Sequence, residues 1–411
     1  MPPITAELIL FFVYLLAGPA AWALYWLAIH SGRRRMLLLR RPPIPPDNPP
    51  AVPPTATIMI PAKDEGERIR ACIESALAQD YPNVEVIAIN DRSVDNTGAV
   101  MDELAAKNRR LKVIHITEPP GPGWTGKNNA LHTAAAHATG AWLLFVDSDV
   151  VLEPDALSAS MAVVLRKNFD LLSLLPRLES HSLWESLLVP LAGAAASSMY
   201  LISLTNTQHT RVAFANGQFL MISRAAYDAI GRHEVVRDRY CEDVEIARLV
   251  KEKGLRPRVS WGNDFCAVRM YSSLPAIFRG WSRIYYAARV GSPWRVLAAA
   301  AFVIICGFSA YAALAWGVFR LVDPSGHWPG PLAWLIAGGI HLGLLTVVVS
   351  TLYHWSGNPR RNALLFPVAG PMLLGIFAKA LQMCVTKKVE WRGTAYSHTM
   401  ATTLGPGQPK A

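Results

Sequence analysis

Cysteine is scarce and dispersed in this chain of 411 residues. The five present, Cys72, Cys241, Cys266, Cys306 and Cys384, form no CxxC pair and no Cys/His set, which excludes a zinc ribbon and a disulfide framework. Charge is scarce too: 17% of residues are charged against 52% hydrophobic, and the mean hydropathy is +0.22. Those values do not fit a soluble enzyme with a solvated charged surface, nor a disordered chain. Acidic residues are the rarer sign, 30 against 40 basic, for a net charge of +10. No segment combines a contiguous basic groove with stacking aromatics, so nucleic acid is not an expected partner, and the excess charge points to anionic lipid or a phosphorylated substrate. A Walker A phosphate loop is also missing.

What is present begins with uncharged hydrophobic runs. Residues 8–29 contain no acidic or basic side chain and are long enough to cross a hydrocarbon core of about 30 Å. Arg33, Arg34, Arg35, Arg40 and Arg41 follow this run, so the positive-inside rule places the N-terminus outside and the next segment in the cytoplasm. The expected organisation is an anchor over 1–30, a basic and proline-rich linker over 31–54 acting as a stiff spacer, a catalytic domain over 55–294, membrane segments over 295–386 and a tail over 387–411. Runs 296–319 and 332–352 read as a hairpin of spans, with Arg360 and Arg361 returning to the cytoplasmic side. The last run, 363–385, holds Pro367, Gly370, Pro371 and Lys379, and a full crossing would carry Lys387, Lys388 and Arg392 outward. A span and a re-entrant segment both stay open there. The uncharged run 187–204 is expected to lie in the interface as helices interrupted by Pro190 and Gly193, because a crossing would separate the carboxylates described next.

Between 55 and 294 short apolar strands at 57–61, 84–89, 113–116 and 142–146 alternate with helical spacing at 68–79 and 127–138, which predicts an α/β domain built from βαβ units. Ligands in such sheets bind beyond the carboxyl ends of the strands. The polar residues there are Asn90-Asp91-Arg92-Ser93 after the second strand and Asp147-Ser148-Asp149 after the fourth. Taken alone, the first is better explained as a turn and a helix cap, a reading that weakens in combination with the second. In the second, alternate residues of an extended segment can turn two carboxylates towards one divalent cation, leaving sites for phosphate oxygens. Glu242-Asp243 opens a helix over 244–253, where dipole stabilisation is the alternative to chemistry. Gly121-Pro122-Gly123-Trp124-Thr125-Gly126-Lys127 permits close backbone approach and brings a lysine to a diphosphate. For His233 a structural hydrogen bond is the expected role, and His341 is expected to be packed in its span.

In combination, Ile60-Pro61-Ala62-Lys63-Asp64-Glu65, NDRSVDNT, GWTGKNNAL, DSD, NGQFLMISRAAYDAIGRHE and EDVEIARLVKEKG resemble glycosyltransferase family 2, with its GT-A Rossmann-like fold, over about 53–294. Within the family the chain is most similar to membrane-bound, non-processive lipid glycosyltransferases of the carotenoid and hopanoid-associated type. It departs in carrying Asn90-Asp91 where Asp-Asp is usual, and in having Arg279-Gly280-Trp281-Ser282-Arg283 where processive enzymes carry Gln/Arg-x-x-Arg-Trp. The resemblance implies an inverting transfer from a UDP- or GDP-sugar to a lipid acceptor. It assigns Asp243 as catalytic base; Asp91, Lys127, Asp147, Glu65 and Arg283 to the donor; Asn216, Gly217, Gln218, Trp281 and Glu242 to the acceptor; and Asp149 with Asp147 to Mg²⁺ or Mn²⁺. A processive polysaccharide synthase, a transporter and an inactive nucleotide-binding scaffold are the alternatives. The first would carry more spans, and the second more intramembrane ionisable residues than Lys379 and His341.

Overall fold

The computed structural model describes residues 6–288, 293–322, 328–386, 389–391 and 394–396. Its contacts divide the chain into two compact units, one built mainly from Arg33–Glu179 and Tyr200–Met270, the other from Met1–Gly32, Ser180–Met199 and Tyr271–Ala395. The expected catalytic domain over 55–294 is therefore interrupted: its segment 180–199 and everything after 270 belong to the second unit.

The first unit contains ten strands: β1 (Ala56–Ala62), β2 (Val84–Asp91), β3 (Leu111–Ile116), β4 (Trp142–Phe145), β5 (Val150–Leu152), β6 (Leu171–Leu175), β7 (Arg177–Leu178), β8 (Leu220–Ser223), β9 (Pro257–Trp261) and β10 (Cys266–Val268). Seven form the main sheet in the order β3-β2-β1-β4-β8-β6-β9, and β5-β10-β7 form a smaller one. Alternate residues of the central strands fill two different cores, as a period of two requires. Ile58 and Ile60 of β1, Val86 of β2 and Leu144 of β4 enter one core, while Met59, Ile87, Ile89, Leu143 and Phe145 enter the other. Burial on both faces explains the continuous apolar runs, each such side chain contributing about 1.5–3 kcal/mol.

β1 pairs with β2 and β4 in parallel, so the ends of all three strands and the loops after them lie on one edge of the sheet. β8 runs antiparallel to β4, with Phe145 opposite Leu220. The residues entering β8 are thereby placed beside those leaving β4. The expected helices are present at Ile69–Leu77, Gly126–His137 and Glu242–Glu252.

Two of these loops are clamped together. Thr97 Oγ1 accepts the Glu65 N–H at 2.8 Å, Asp95 Oδ2 accepts from Gly66 N at 2.9 Å, Ser93 Oγ accepts from Asp64 N at 3.0 Å, and Asp64 Oδ1 accepts from Val94 N at 2.8 Å. The linker is not a free spacer. Leu38 N donates to Ser260 Oγ at 3.2 Å, and Arg41 binds Asp155 through two bonds of 2.6 and 2.5 Å while covering the Phe265 ring.

Among the described residues four helices are long and apolar enough to cross a membrane: Ala6–Met36, Pro293–Arg320, Pro331–Trp355 and Arg360–Thr386. The last includes the segment left open by the sequence, continuous through Pro371, whereas Lys387, Lys388 and Arg392 lie outside the described residues. π-turns at Leu16–Ala20 and Val303–Phe308 interrupt two of the helices, and the Cys306 carbonyl accepts from Trp22 and, at 2.8 Å, from His341 Nε2. His341 is packed, as expected. Near the N-terminal end of the first helix, Glu7 accepts from Arg320, Trp316 and Trp334.

The expected break at Pro190 and Gly193 is absent, and Leu183–Tyr200 is one helix. Proline cannot donate to the carbonyl four residues back. That carbonyl, Ser186 O, accepts from Asn362 Nδ2 at 3.1 Å instead, and Tyr353 donates to Leu187 O at 2.6 Å. Side chains from other helices thus satisfy the backbone groups the proline disturbs.

The loop clamp makes a measurable prediction. Thr97 is fully buried, and Thr97→Val keeps its shape while leaving the Glu65 N–H unpaired. Chemical denaturation of the detergent-solubilised protein should show a loss of about 1–3 kcal/mol, against about 0.5 kcal/mol or less for a control substitution at an exposed site such as Val94→Ala.

Candidate active site

The second strand ends in Asp91, buried at the carboxyl edge, with its carboxylate gripped by the neighbouring Arg92 through Nε–Oδ1 at 2.7 Å and Nη2–Oδ2 at 2.9 Å. Arg92 adopts a positive φ of 55°, which turns its side chain back onto Asp91. Gly126 follows closely: a Cβ there would lie 2.8 Å from Asp91 Oδ2, so only glycine lets the start of the Gly126–His137 helix approach this carboxylate. The helix is capped by Thr125, whose side chain accepts from Asn128 N. Asn128 in turn donates through Nδ2 to the carbonyls of Val236, Arg237 and Arg239 at 2.7, 3.1 and 2.9 Å. This tether fixes the backbone leading to Glu242 against the helix that carries Lys127.

Asp147 and Asp149 do not share an extended strand, contrary to the reading by alternation. β4 stops at Phe145, residues 148–149 form a turn, and β5 starts at Val150 in the smaller sheet, with Val150 N donating to Asp147 O at 3.1 Å. The two carboxylates are nonetheless electrostatic neighbours. Burial, then the charges of Asp147 and Glu65, push the Asp149 carboxyl up to about 7, and Arg68 opposes the shift. Glu65, buried in the clamped loop, thus lies on the same acidic side.

Lys127 joins this element to the third acidic one. Its Nζ lies 2.7 Å from Asp147 Oδ1 and 2.8 Å from Glu242 Oε1. Burial works against the ammonium, but Asp147, Glu242 and Asp243 outweigh it and hold its pKa well above the ordinary lysine range. Asp243 is fixed by backbone donors on both oxygens, Gly217 N at 2.7 Å and Val244 N at 2.8 Å. Its carboxyl is nevertheless pushed up to about 7, by burial and by Glu242, with Lys127 pulling the other way. Gly217 is a close-approach glycine, since a Cβ would lie 3.1 Å from Lys127 Nζ and 3.3 Å from Asp243 Oδ2. Its neighbours hold the turn: Ser173 Oγ accepts from Asn216 N at 2.7 Å, and Asn216 and Gln218 bond each other at 3.0 and 3.1 Å.

The result is a cleft lined by Lys127, Asp147, Gly217, His233, Glu242 and Asp243 above apolar walls. Of the predicted residues, Asp147, Lys127, Gly217, Glu242 and Asp243 come together here, and Asn216 and Gln218 shape the turn that delivers Gly217. Asp149 and Glu65 form the adjoining acidic side, while Asp91 abuts Gly126, one residue before Lys127. Trp281 and Arg283 lie on the Leu274–Ala288 helix of the other unit, with Trp281 buried. Sequence reasoning missed the Asp91–Arg92 pair, the Asn128 tether and the Ser173 anchor. Only the two adjacent asparagines after Lys127 signalled that this helix start is more than a phosphate loop.

A divalent cation fits the donor set. Asp147 and Asp149 are neighbouring carboxylates in a part-buried site, and burial with the charges of Asp147 and Glu65 raises the Asp149 carboxyl, a shift that an added cation would oppose. Among the described residues no three His, Cys, Asp or Glu side chains surround one point, so ligands from substrate oxygens would complete the shell.

The chain is similar to several known proteins. The family model Glycosyl transferase family 2 matches residues 57–231. The 4,4'-diaponeurosporenoate glycosyltransferase of Staphylococcus aureus strain MRSA252 is 27% identical over 246 residues, 59% of this chain and 64% of its own length. Its counterpart in strain USA300 is 27% identical over 230 residues, 55% of this chain and 60% of its own. The chain thus matches less than two thirds of these relatives' length. Among solved structures, a mannosyltransferase from Pyrobaculum calidifontis in complex with GDP-Man and Mn²⁺ superposes with a TM-score of 0.48 and 21% identity, over 80% of this chain and 96% of that one. The mixed sheet with acidic elements at its carboxyl edge thus coincides with the stretch, residues 57–231, that is similar to glycosyltransferase family 2.

Proposed function

We propose that this protein is an integral-membrane, inverting glycosyltransferase that moves a sugar from a nucleotide-sugar donor to a lipid acceptor at the cytoplasmic leaflet. The observation that carries the reading is the Lys127 bridge between Asp147 and Glu242, with Asp243 held beside it, in a family 2 domain. Four apolar helices and relatives named for a carotenoid acid support a membrane setting and a polyisoprenoid-like acceptor.

Sugar transfer develops positive charge at the anomeric carbon and negative charge on the departing diphosphate, while the acceptor hydroxyl or acid must lose its proton. Asp147 and Asp149 would hold Mg²⁺ or Mn²⁺, which supplies charge neutralisation at the diphosphate. Lys127 sits at the same point with a permanent charge to offer that group, and Arg283 is assigned as a second cation for it. Asp91, with Arg92 locked on its carboxylate, and Glu65 line the nucleoside side. Asp243 is the base: both oxygens are anchored by backbone N–H groups, so its position is set before substrate arrives, and its raised affinity for protons matches a group that must accept one near neutral pH. A single base with in-line attack inverts the anomeric centre. Asn216, Gly217, Gln218, Glu242 and Trp281 are assigned to the acceptor side, where Gly217 leaves room directly over Asp243.

Incubating the purified protein with a panel of UDP- and GDP-sugars and membrane lipids tests the reading as a whole, since a labelled lipid must form with at least one donor. Three predictions are sharper. Asp149→Ala should abolish transfer and remove the metal-dependent part of donor binding measured by calorimetry, and excess chelator should do the same to the wild type. Full activity in chelator would refute the metal assignment.

Asp243→Asn keeps size but not basicity, and gives up one of the two backbone hydrogen bonds that the carboxylate accepts, so kcat should fall by about 10² to 10⁴ while donor affinity changes little. Because the base works only when ionised and its carboxyl is pushed up to about 7, the wild-type rate should decline as pH falls below about 7, not below the ordinary carboxylate value near 4. An acid limb near 4 would assign the proton transfer elsewhere.

For the leaflet, cysteines introduced just before Leu183 and just after Leu204 should react with an impermeant thiol reagent only from the cytoplasmic side of intact and opened vesicles. Labelling from opposite faces would overturn the cytoplasmic acceptor route.

A further inference from the structure

His233 is the one polar side chain of the cleft to which the proposed reaction gives no task. It is fully buried, its ring edge meets Phe145 at a centroid distance of 5.0 Å, and its Nδ1 lies 2.7 Å from the Tyr227 hydroxyl. That hydroxyl already accepts the backbone N–H of His233 at 3.2 Å. A buried phenol placed between these two groups uses its own hydrogen only by donating it to Nδ1, which leaves the ring hydrogen on Nε2. Burial and the nearby Lys127 and His132 keep the ring neutral, so Nε2 is a fixed donor and not a titrating cation. Yet Nε2 is buried without a hydrogen-bond partner in the protein. A buried donor left unpaired is costly and calls for an explanation.

The cleft supplies one. Its walls beside His233 are Pro61, Leu131, Phe145, Val146, Leu220 and Ile246, none of which has a polar side chain, and its polar groups are Lys127, Asp147, Gly217, Glu242 and Asp243. Both oxygens of Asp243 are occupied by backbone donors. Glu242, by contrast, is 5% exposed and has Lys127 as its ion-pair partner, a lysine it shares with Asp147. Any movement of the ammonium towards a diphosphate takes that charge away from a buried carboxylate next to the base.

We propose that His233 is a positioning residue for the catalytic pair: its Nε2–H, through a single water seated in the cleft, supports Glu242 when Lys127 turns to the donor, and so keeps the start of the Glu242–Glu252 helix and Asp243 in place for proton abstraction. Buried waters require two to four polar partners, and the cleft that His233 lines offers Glu242, Asp147 and Lys127 besides Nε2. Gly217 adds no side chain to the crowded ground between Lys127 and Glu242, where a Cβ would lie 3.1 Å from the one and 3.6 Å from the other. This inference rests on the glycosyltransferase reading of the cleft. It assigns the Tyr227–His233 pair a part in turnover and none in donor affinity.

The test compares three variants of the full-length protein in detergent, each checked for unchanged thermal unfolding. His233→Leu fills the space without a donor, His233→Gln returns an amide N–H near the position of Nε2, and Tyr227→Phe keeps the ring but removes the hydroxyl that fixes the tautomer. Expected are a kcat lowered about tenfold or more in His233→Leu with donor KM within about twofold, recovery of most of that loss in His233→Gln, and a clear drop in Tyr227→Phe. Equal losses in the Leu and Gln variants, or a rise in KM that accounts for the whole effect, would overturn the inference. Should His233→Leu not fold, the order of the other two decides: Tyr227→Phe at or above His233→Gln refutes it. A wild type that transfers from no donor would sink the functional reading and this inference together, whereas an active wild type matched by His233→Leu would remove this inference alone.

Discussion

One antiparallel strand in an otherwise mostly parallel neighbourhood organises the site. β8 lies beside β4 with Phe145 opposite Leu220, so the chain leaving β4 at Asp147 and the chain entering β8 from Gly217 occupy the same corner. Lys127 then closes that corner by pairing with Asp147 and Glu242. A parallel β8 would bring Ser223 to that end and carry the Asn216–Gln218 turn to the far edge of the sheet. The ion pair is therefore a consequence of strand direction, and the chemistry inherits it.

Close approach is the second constraint. Gly126 and Gly217 each sit where a Cβ would press on a charged atom of the site, Asp91 in one case and Lys127 in the other. Around them the backbone is pinned by buried polar side chains: Asn128 holds three carbonyls before the Glu242 helix, Ser173 holds Asn216, and Thr97 with Asp95 holds the loop of Glu65. Fixing carboxylates in advance has an electrostatic cost, visible in the upward shifts of Asp149 and Asp243. In the proposed reaction a cation at one and a proton transfer at the other would relieve it.

The helical unit solves a different problem, that of polar backbone away from water. Pro190 and two π-turns leave carbonyls without their helical donors, and Asn362, Tyr353, Trp22 and His341 supply replacements. Tyrosine, histidine and asparagine in these helices read from sequence as scattered polar residues. In the structure they are what allows an irregular helix to remain a helix.

Much was legible in the sequence, because it rests on local rules. Short continuous apolar runs mark β1 to β4, long uncharged runs mark the apolar helices, and polar residues at strand ends and a helix start mark Asp91, Asp147 and Glu242-Asp243 as candidates. What only the tertiary structure decided depends on partners distant in the chain. The DSD segment is a turn between two sheets because β5 pairs with β10, more than a hundred residues later. Leu183–Tyr200 stays whole within the helical unit because Asn362 donates to the Ser186 carbonyl, for which Pro190 has no N–H. His233 reads as a structural histidine until its Nε2 is found buried without a partner in a residue that lines a cleft with Lys127, Gly217 and Glu242. Periodicity and spacing encode which residues share a face. They do not encode which strand, helix or side chain that face will meet.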